Sequence, residues 1–156
     1  MKSRILCAIV SLAVALCTAG CAADSEGVAN AGRGASYGSI SLGEEQVPVN
    51  LVKVYDADGF LMVLLSPLTD EQNLTTSLIV GLKSELQGSK VDVERLYCND
   101  DYIVVYDDPQ CYYAPFRPLQ SGEIEMSKEG GTLRLSVDVV LYDGTPLRYQ
   151  ASSLPM

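Results

Sequence analysis

From residue 38 onward, the chain consists of short β-rich runs separated by turn signals. Asp58-Gly59 separates the runs 47–57 and 60–66. An Asp-Gly pair in that position is typical of a two-residue type I′ hairpin. This spacing opposes Ala57 to Phe60 and predicts an antiparallel hairpin.

Strand alternation divides this first hairpin into two faces. The predicted core face is wholly apolar and carries Val52, Val54, Leu61, Val63 and Leu65. The other face is only partly polar, because Met62 and Leu64 lie there beside Lys53 and Tyr55. We therefore expect this hairpin at the centre of a sheet or beneath a covering loop.

A second hairpin is predicted around Gly130-Gly131, between the runs 123–128 and 132–141. Opposing Glu129 to Thr132 gives one apolar and one polar face, the pattern of a sheet with one side in water. The apolar face carries Ile124, Met126, Leu133, Leu135 and Val137. The polar face carries Glu123, Glu125, Ser127, Arg134, Ser136 and Asp138.

Asp143-Gly144 marks a third turn. A strict two-residue turn there would oppose Val139 to Arg148 and mix the two faces. One additional loop residue instead aligns Leu141, Val139 and Val137 with Leu147, Tyr149 and Ala151. We therefore predict a three-residue loop or a bulge at this turn.

The remaining strands are predicted from shorter runs. Residues 39–42 turn at 43–45 into the strand that begins at Val47. Residues 101–106 form another strand, followed by a turn and the short run 111–114.

The stretch 69–88 fits two structures. Leucines recur every fourth residue from Leu74 to Leu86, which favours a helix. The β-branched residues and the glycine between them are poor helix formers. We favour a strand over 75–82 and one helical turn over 83–87.

Together these segments predict one all-β domain over residues 38–156. It has eight or nine antiparallel strands and at most one short helix. Consecutive hairpins of this kind build either a β-sandwich or a flattened β-barrel, and both alternatives stay open.

The first 20 residues have the pattern of an export signal. Lys2 and Arg4 precede an apolar stretch over 5–16 that is too short to cross a membrane as a helix. Small residues then lead directly to Cys21. We predict that Cys21 becomes the lipidated first residue of the mature chain; ordinary secretory cleavage nearby, for instance after Ala23, is the alternative.

This N-terminus resembles bacterial lipoprotein precursors, in which a small-residue tripeptide precedes the cysteine that is acylated. With its hairpin layout and the segments YIVVYDDP and VDVVLYDGTPL, the chain is similar to small β-rich lipoproteins of unknown function from Gram-negative gut bacteria. The resemblance implies the fold and a location at the outer membrane, on its periplasmic or its surface face. It implies no activity.

Residues 21–37, rich in Ala, Gly, Ser and Asn, predict a flexible tether whose reach is roughly 20 Å for about 15 residues. Once Lys2 and Arg4 are removed, 9 basic residues face 20 acidic ones, a net charge of −11. A nucleic-acid partner, which needs clustered cations, is therefore not expected. Attachment to the membrane must come from acyl chains.

The chain contains no His, which removes Ser-His-Asp and Cys-His catalysis and His-ligated zinc. Asp56 and Asp58 resemble the opening of a calcium loop, but position 12 of that loop would be Pro67 rather than the required Glu. We predict no catalytic residue, metal ligand or cofactor. A second acidic group is formed by Asp100, Asp101, Asp107 and Asp108.

Cys98 and Cys111 are an even pair in an oxidising compartment, which favours a disulfide. A strand over 102–106 would place them near its opposite ends, beyond the ~7 Å Cα separation that a disulfide tolerates. The bridge therefore requires residues 99–100 to loop back.

Five of the nine tyrosines lie within 17 positions, beside Arg117. We favour a non-catalytic binding or interaction module for a glycan or a protein, with a contact face made of Tyr102, Tyr106, Tyr112, Tyr113 and Arg117. The alternative is that these tyrosines have only a structural role, because Tyr is a good strand residue.

The alternative function is a carboxylate-dependent enzyme acting on glycans or cell-wall material. It would use a pair among Glu123, Glu125, Asp100, Asp101, Asp107 and Asp108.

Overall fold

The computed structural model describes residues 36–67, 77–95, 98–107 and 117–156. Within them, alternating apolar residues and tight turns produce ten strands and one 3₁₀ turn, Ser84–Leu86. The strands are β1 Ser39–Leu42, β2 Glu45–Pro48, β3 Leu51–Ala57, β4 Phe60–Ser66, β5 Ser77–Lys83, β6 Lys90–Val93, β7 Tyr102–Asp107, β8 Leu119–Glu129, β9 Thr132–Leu141 and β10 Pro146–Pro155.

The ten strands form two antiparallel sheets. One has six strands in the order β2-β1-β10-β9-β8-β6, and the other has four in the order β3-β4-β5-β7. Neither sheet closes on itself among the described strands, and a shared apolar core lies between them. The all-β prediction is confirmed, and of the two alternatives the structure is the sandwich.

The first predicted hairpin is confirmed in register, because Ala57 pairs with Phe60. The single strand predicted over 47–57 is wrong, since the chain breaks at Val49 and Asn50. β2 pairs with β1 in the six-stranded sheet, whereas β3 pairs with β4 in the four-stranded sheet. The break lets the chain pass from one layer to the other.

The two C-terminal turns lie where the sequence predicts them. Glu129 pairs with Thr132, as predicted, and the turn between β9 and β10 has the expected three loop residues, 142–144. The pairing across β9 and β10 differs from the expected alignment by two residues, because Val139 lies opposite Leu147 and Val137 opposite Tyr149. A shift of two residues keeps every side chain on its predicted face.

The ambiguous stretch 69–88 is a strand followed by a helical turn in its described part. β5 covers Ser77–Lys83 and the 3₁₀ turn follows at Ser84–Leu86, so the preferred interpretation is confirmed there. Residues 68–76 lie outside the described part of the chain. β6 was not predicted from the sequence.

Apolar side chains on the inner faces of both sheets form the main core. From β7 it receives Tyr102, Val104 and Tyr106, and from the β8–β9 hairpin Ile124, Met126, Leu133, Leu135, Val137 and Val139. A second buried cluster lies on the other face of the four-stranded sheet. It contains Phe60, Met62, Leu64, Ile79, Ile103 and Val105.

Tyr149 joins the beginning of the described chain to the core. Its hydroxyl donates a hydrogen bond of 2.7 Å to the carbonyl oxygen of Tyr37, while the amide of Tyr37 donates to the carbonyl of Val49. Tyr37 therefore belongs to the folded domain, although the sequence assigned it to the tether. Burial raises the pKa of Tyr149 from 10.0 to about 12.

We expect alkaline pH to weaken the fold through Tyr149. Its neutral form is favoured in the folded state, so its contribution is complete below pH 10.0 and is lost as the pH rises toward about 12. Because one pKa unit corresponds to about 1.4 kcal/mol, the loss is roughly 2 to 3 kcal/mol. Denaturant unfolding across this pH range measures it.

Tyr149→Phe removes this titration and should flatten that part of the stability profile. Tyr142→Phe is the matched control, because the side chain of Tyr142 is exposed. If the stability of Tyr149→Phe falls as steeply with pH as that of the unchanged chain, the assignment to Tyr149 is wrong.

Candidate functional site

Two tyrosines of the predicted contact face are core residues. Tyr102 and Tyr106 are only 1% and 3% exposed. Strand alternation places both, with Val104 between them, on the face of β7 that packs against the six-stranded sheet. Their assignment to a contact surface was wrong.

The hydroxyl of Tyr102 has a structural role. It accepts a hydrogen bond of 2.8 Å from the amide of Glu94 and lies 3.2 Å from the carbonyl oxygen of Glu94 as donor. Burial raises the pKa of Tyr102, which keeps the hydroxyl protonated as this pairing requires. The side chain thus fastens the end of β6 to β7.

Of the rest of the predicted face, Arg117 is described, whereas Tyr112 and Tyr113 lie outside the described residues. The guanidinium of Arg117 lies 3.4 Å from the carboxylate of Asp143. The backbone amide of Arg117 donates a hydrogen bond to the carbonyl oxygen of Tyr106. The same turn as Asp143 carries Tyr142, whose side chain is 72% exposed. Hydrogen bonds donated by Thr145 to the carboxylate, with Arg117 nearby, lower the pKa of Asp143.

Cys98 lies beside the start of β7, opposite Ile103. The side-chain oxygen of Asn99 accepts hydrogen bonds from the backbone amides of Asp101 and Tyr102, which turns the chain back. The backbone of Cys98 then forms an isolated antiparallel β-bridge with that of Ile103. The chain therefore turns back at residues 99–100, which is the condition that the bridge requires. Cys111 and Cys21 lie outside the described residues, so the disulfide and the lipidation stay predictions.

The described members of the predicted acidic group do not gather in one cluster. Asp101 precedes β7 and Asp107 ends it, so strand geometry separates their Cα atoms by roughly 20 Å. Asp108 lies outside the described residues. Lys83 lies 3.9 Å from the carboxylate of Asp101, which places that residue in a surface ion pair.

A polar trough crosses the outer face of the six-stranded sheet. It consists of two adjoining depressions of about 380 Å³ and about 370 Å³, which share Ser136 and Gln150. They extend over β6, β8, β9, β10 and β1. The uncharged polar side chains of this trough are Ser39, Ser41, Ser127, Ser136, Gln150 and Ser152.

The charged side chains of the trough are balanced. Three are cationic and three are anionic: Lys90, Arg134, Arg148, Glu123, Glu125 and Asp138. Lys90 Nζ lies 2.7 Å from Glu123, and Arg148 Nε lies 3.0 Å from Asp138. The hydrogen bond to Glu123 raises the pKa of Lys90 and keeps it charged.

Cross-strand pairing aligns these residues in rows. One row joins Lys90, Glu125, Ser136 and Gln150 on four successive strands. The neighbouring row places Asp92, Glu123 and Asp138 directly opposite one another, followed by Arg148 and Ser41. Like charges in that arrangement destabilise a sheet. Lys90 and Arg148 offset the repulsion.

The arrangement presents hydrogen-bond donors and acceptors on a rigid surface, without a cleft. Glu123 and Glu125 are two residues apart on one strand and project in the same direction. The sequence had placed Glu123, Glu125, Ser136 and Asp138 on one polar face. It gave no sign that β10, β1 and β6 extend this face, because those pairings join distant parts of the chain.

Neither a metal site nor a known relative identifies the function. Among the described residues, no group of three or more carboxylate or thiol side chains is placed to hold a metal ion, and no helix is long and apolar enough to cross a membrane. Comparisons with family models, curated proteins and solved structures found no match to this chain.

We predict that calcium does not stabilise the fold. Asp56, the first residue of the calcium-like sequence, lies on β3 and approaches Lys128 Nζ at 3.4 Å, and the trough carboxylates Glu123 and Asp138 also face cations. The melting temperature of the whole chain should be the same in excess calcium and in excess chelator. A rise of several degrees with calcium would contradict this expectation.

Proposed function

We propose that this protein is a lipid-anchored, extracytoplasmic binding module whose ligand surface is the polar trough. The trough itself carries the proposal, because several polar groups held at fixed positions on a sheet can set the orientation of a ligand. The contact face thus moves from the tyrosines of β7, which are buried, to the outer face of the six-stranded sheet.

The geometry of the carboxylates favours binding over catalysis. Hydrolysis of a glycosidic bond requires two carboxyl groups on opposite sides of the scissile bond. Glu123 and Glu125 project side by side from one strand, and Glu123 is already engaged with Lys90. We therefore retain the non-catalytic module over the carboxylate-dependent enzyme.

The anchor and the location are proposed from the N-terminal sequence. Lipidation of Cys21 would hold the domain at the outer membrane, on the periplasmic or the surface face, through a tether that ends before Tyr37. The acidic balance of the chain supports attachment by acyl chains, because an anionic membrane surface repels it.

Cys21→Ser should release the protein from membranes. The substitution removes the thiol to which the lipid would be attached, so the protein should move into the soluble fraction after cell lysis. Immunoblotting of membrane and soluble fractions measures the change, with Cys7→Ser as the control because Cys7 lies within the apolar stretch of the signal. An unchanged membrane fraction of Cys21→Ser would refute the anchor.

Ligand binding should depend on the centre of the trough. Ser136→Val with Gln150→Ala removes the two polar side chains that both depressions share, and valine is a good strand residue. We expect about a tenfold loss of affinity for any specific partner, as two lost hydrogen bonds imply. A glycan-array and pull-down screen with the whole chain in detergent measures it.

Gln120→Ala is the matched control, because Gln120 is exposed on β8 and does not line either depression. Its binding should equal that of the unchanged chain. If the double variant keeps every specific partner at full affinity, the trough is not the ligand surface.

A further inference from the structure

The trough extends across most of the six-stranded sheet. It crosses five neighbouring strands of the six-stranded sheet, from Lys90 on β6 to Ser39 on β1. Four strand spacings of about 4.8 Å give it a length of roughly 19 Å. A single small molecule would occupy only part of this surface, whereas a chain of several similar units could lie along all of it.

The charge balance argues for an uncharged ligand. The three cations and three anions that line the trough give it no net charge, and Lys90 and Arg148 are paired with Glu123 and Asp138. The whole chain is acidic, with a net charge of −9, which disfavours a polyanion. A polycation would have to displace cations that already neutralise the carboxylates.

The composition of the trough argues against a protein partner. Protein interfaces are centred on buried aromatic or apolar anchors, or on Arg in a desolvated pocket. Among the described residues, the exposed large apolar side chains are Tyr55, Tyr142 and Met156, and none of these three lines the trough. The trough instead offers hydroxyl, amide, carboxylate and guanidinium groups.

These groups match neighbouring hydroxyls. A carboxylate accepts two hydrogen bonds, a guanidinium donates several in a fixed plane, and serine or glutamine can do both. Lys90 pairs with Glu123 where β6 meets β8, and Arg148 pairs with Asp138 where β10 meets β9, so paired donors and acceptors recur along the trough. The paired strands fix the backbone positions of these groups before a ligand arrives, which reduces the entropic cost of binding.

We propose that the ligand of the trough is a neutral oligosaccharide, laid across the strands and held by hydrogen bonds to these rows. This inference rests on the proposed function and specifies its ligand class. It makes the affinity insensitive to ionic strength, because the binding does not neutralise opposite charges. It also makes the affinity increase with the number of sugar units until the trough is filled.

The test titrates the whole chain in detergent with two panels of oligosaccharides. The first contains neutral oligomers of glucose, mannose, xylose and N-acetylglucosamine, and the second contains uronic-acid and sulfated oligomers. Calorimetry at low and high salt gives the affinities. Ser136→Val with Gln150→Ala is compared with Gln120→Ala, and the melting temperature of each variant verifies that it is folded.

We expect at least one neutral series to bind with an affinity that rises with length, stays constant with salt and falls about tenfold in the double variant. Gln120→Ala should match the unchanged chain. Binding confined to acidic oligomers, with salt dependence, would overturn the inference, as would binding of neutral oligomers that the double variant retains.

Two further outcomes separate this inference from the proposed function. If no oligosaccharide binds but a purified protein partner does, and the double variant loses that partner, the trough remains the ligand surface and the oligosaccharide is wrong. If neither oligosaccharides nor proteins bind in a way that the double variant changes, both proposals fail.

Discussion

The apolar contact between the two sheets is the interaction on which the rest of the structure depends. Each strand of the β8–β9 hairpin turns every second residue inward, where Ile124, Met126 and Leu135 belong to one buried cluster with apolar side chains of the four-stranded sheet. Burial of this surface is the main favourable term in folding. It also fixes register, because a shift by one residue would bring Glu123 and Glu125 into the core.

The same constraint explains why the two sheets differ on their outer faces. The six-stranded sheet alternates apolar and polar residues, so its outer face is the polar trough. The four-stranded sheet carries apolar residues on both faces, and Phe60, Met62 and Ile103 are buried on the face turned away from the main core. Among the described residues, the six-stranded sheet therefore offers a polar, solvent-facing outer surface, whereas the four-stranded sheet buries apolar side chains on its outer face.

Carboxylates on adjacent strands of the trough repel one another, and ion pairs reduce that repulsion. Asp92, Glu123 and Asp138 lie opposite one another on adjacent strands, an arrangement that weakens a sheet. Lys90 and Arg148 reduce the repulsion, and the apolar side chains beneath the trough keep the strands paired. Polar groups that would be mobile on a loop are thereby held on a rigid scaffold, the arrangement that a specific binding surface requires.

Sequence patterns by themselves determined the features that neighbouring residues control. The Asp58-Gly59 turn set the β3–β4 register, and Glu129 and Thr132 closed the next hairpin. Face alternation predicted a three-residue loop or a bulge before β10, and the loop is present. The strand and 3₁₀ turn after residue 76 also followed from local propensities. In each case the partners lie close in the chain, so few alternatives compete.

Tertiary structure decided the features that join distant segments. Tyr102 and Tyr106 became core residues because the face of β7 that carries them packs against the other sheet. The spacing of aromatic residues along the chain does not predict which face of β7 packs inward. Pairing of β1 with β10 and of β6 with β8 extended one polar hairpin face into the trough. These pairings depend on which apolar faces meet across the sandwich, and short-range periodicity carries no information about that meeting.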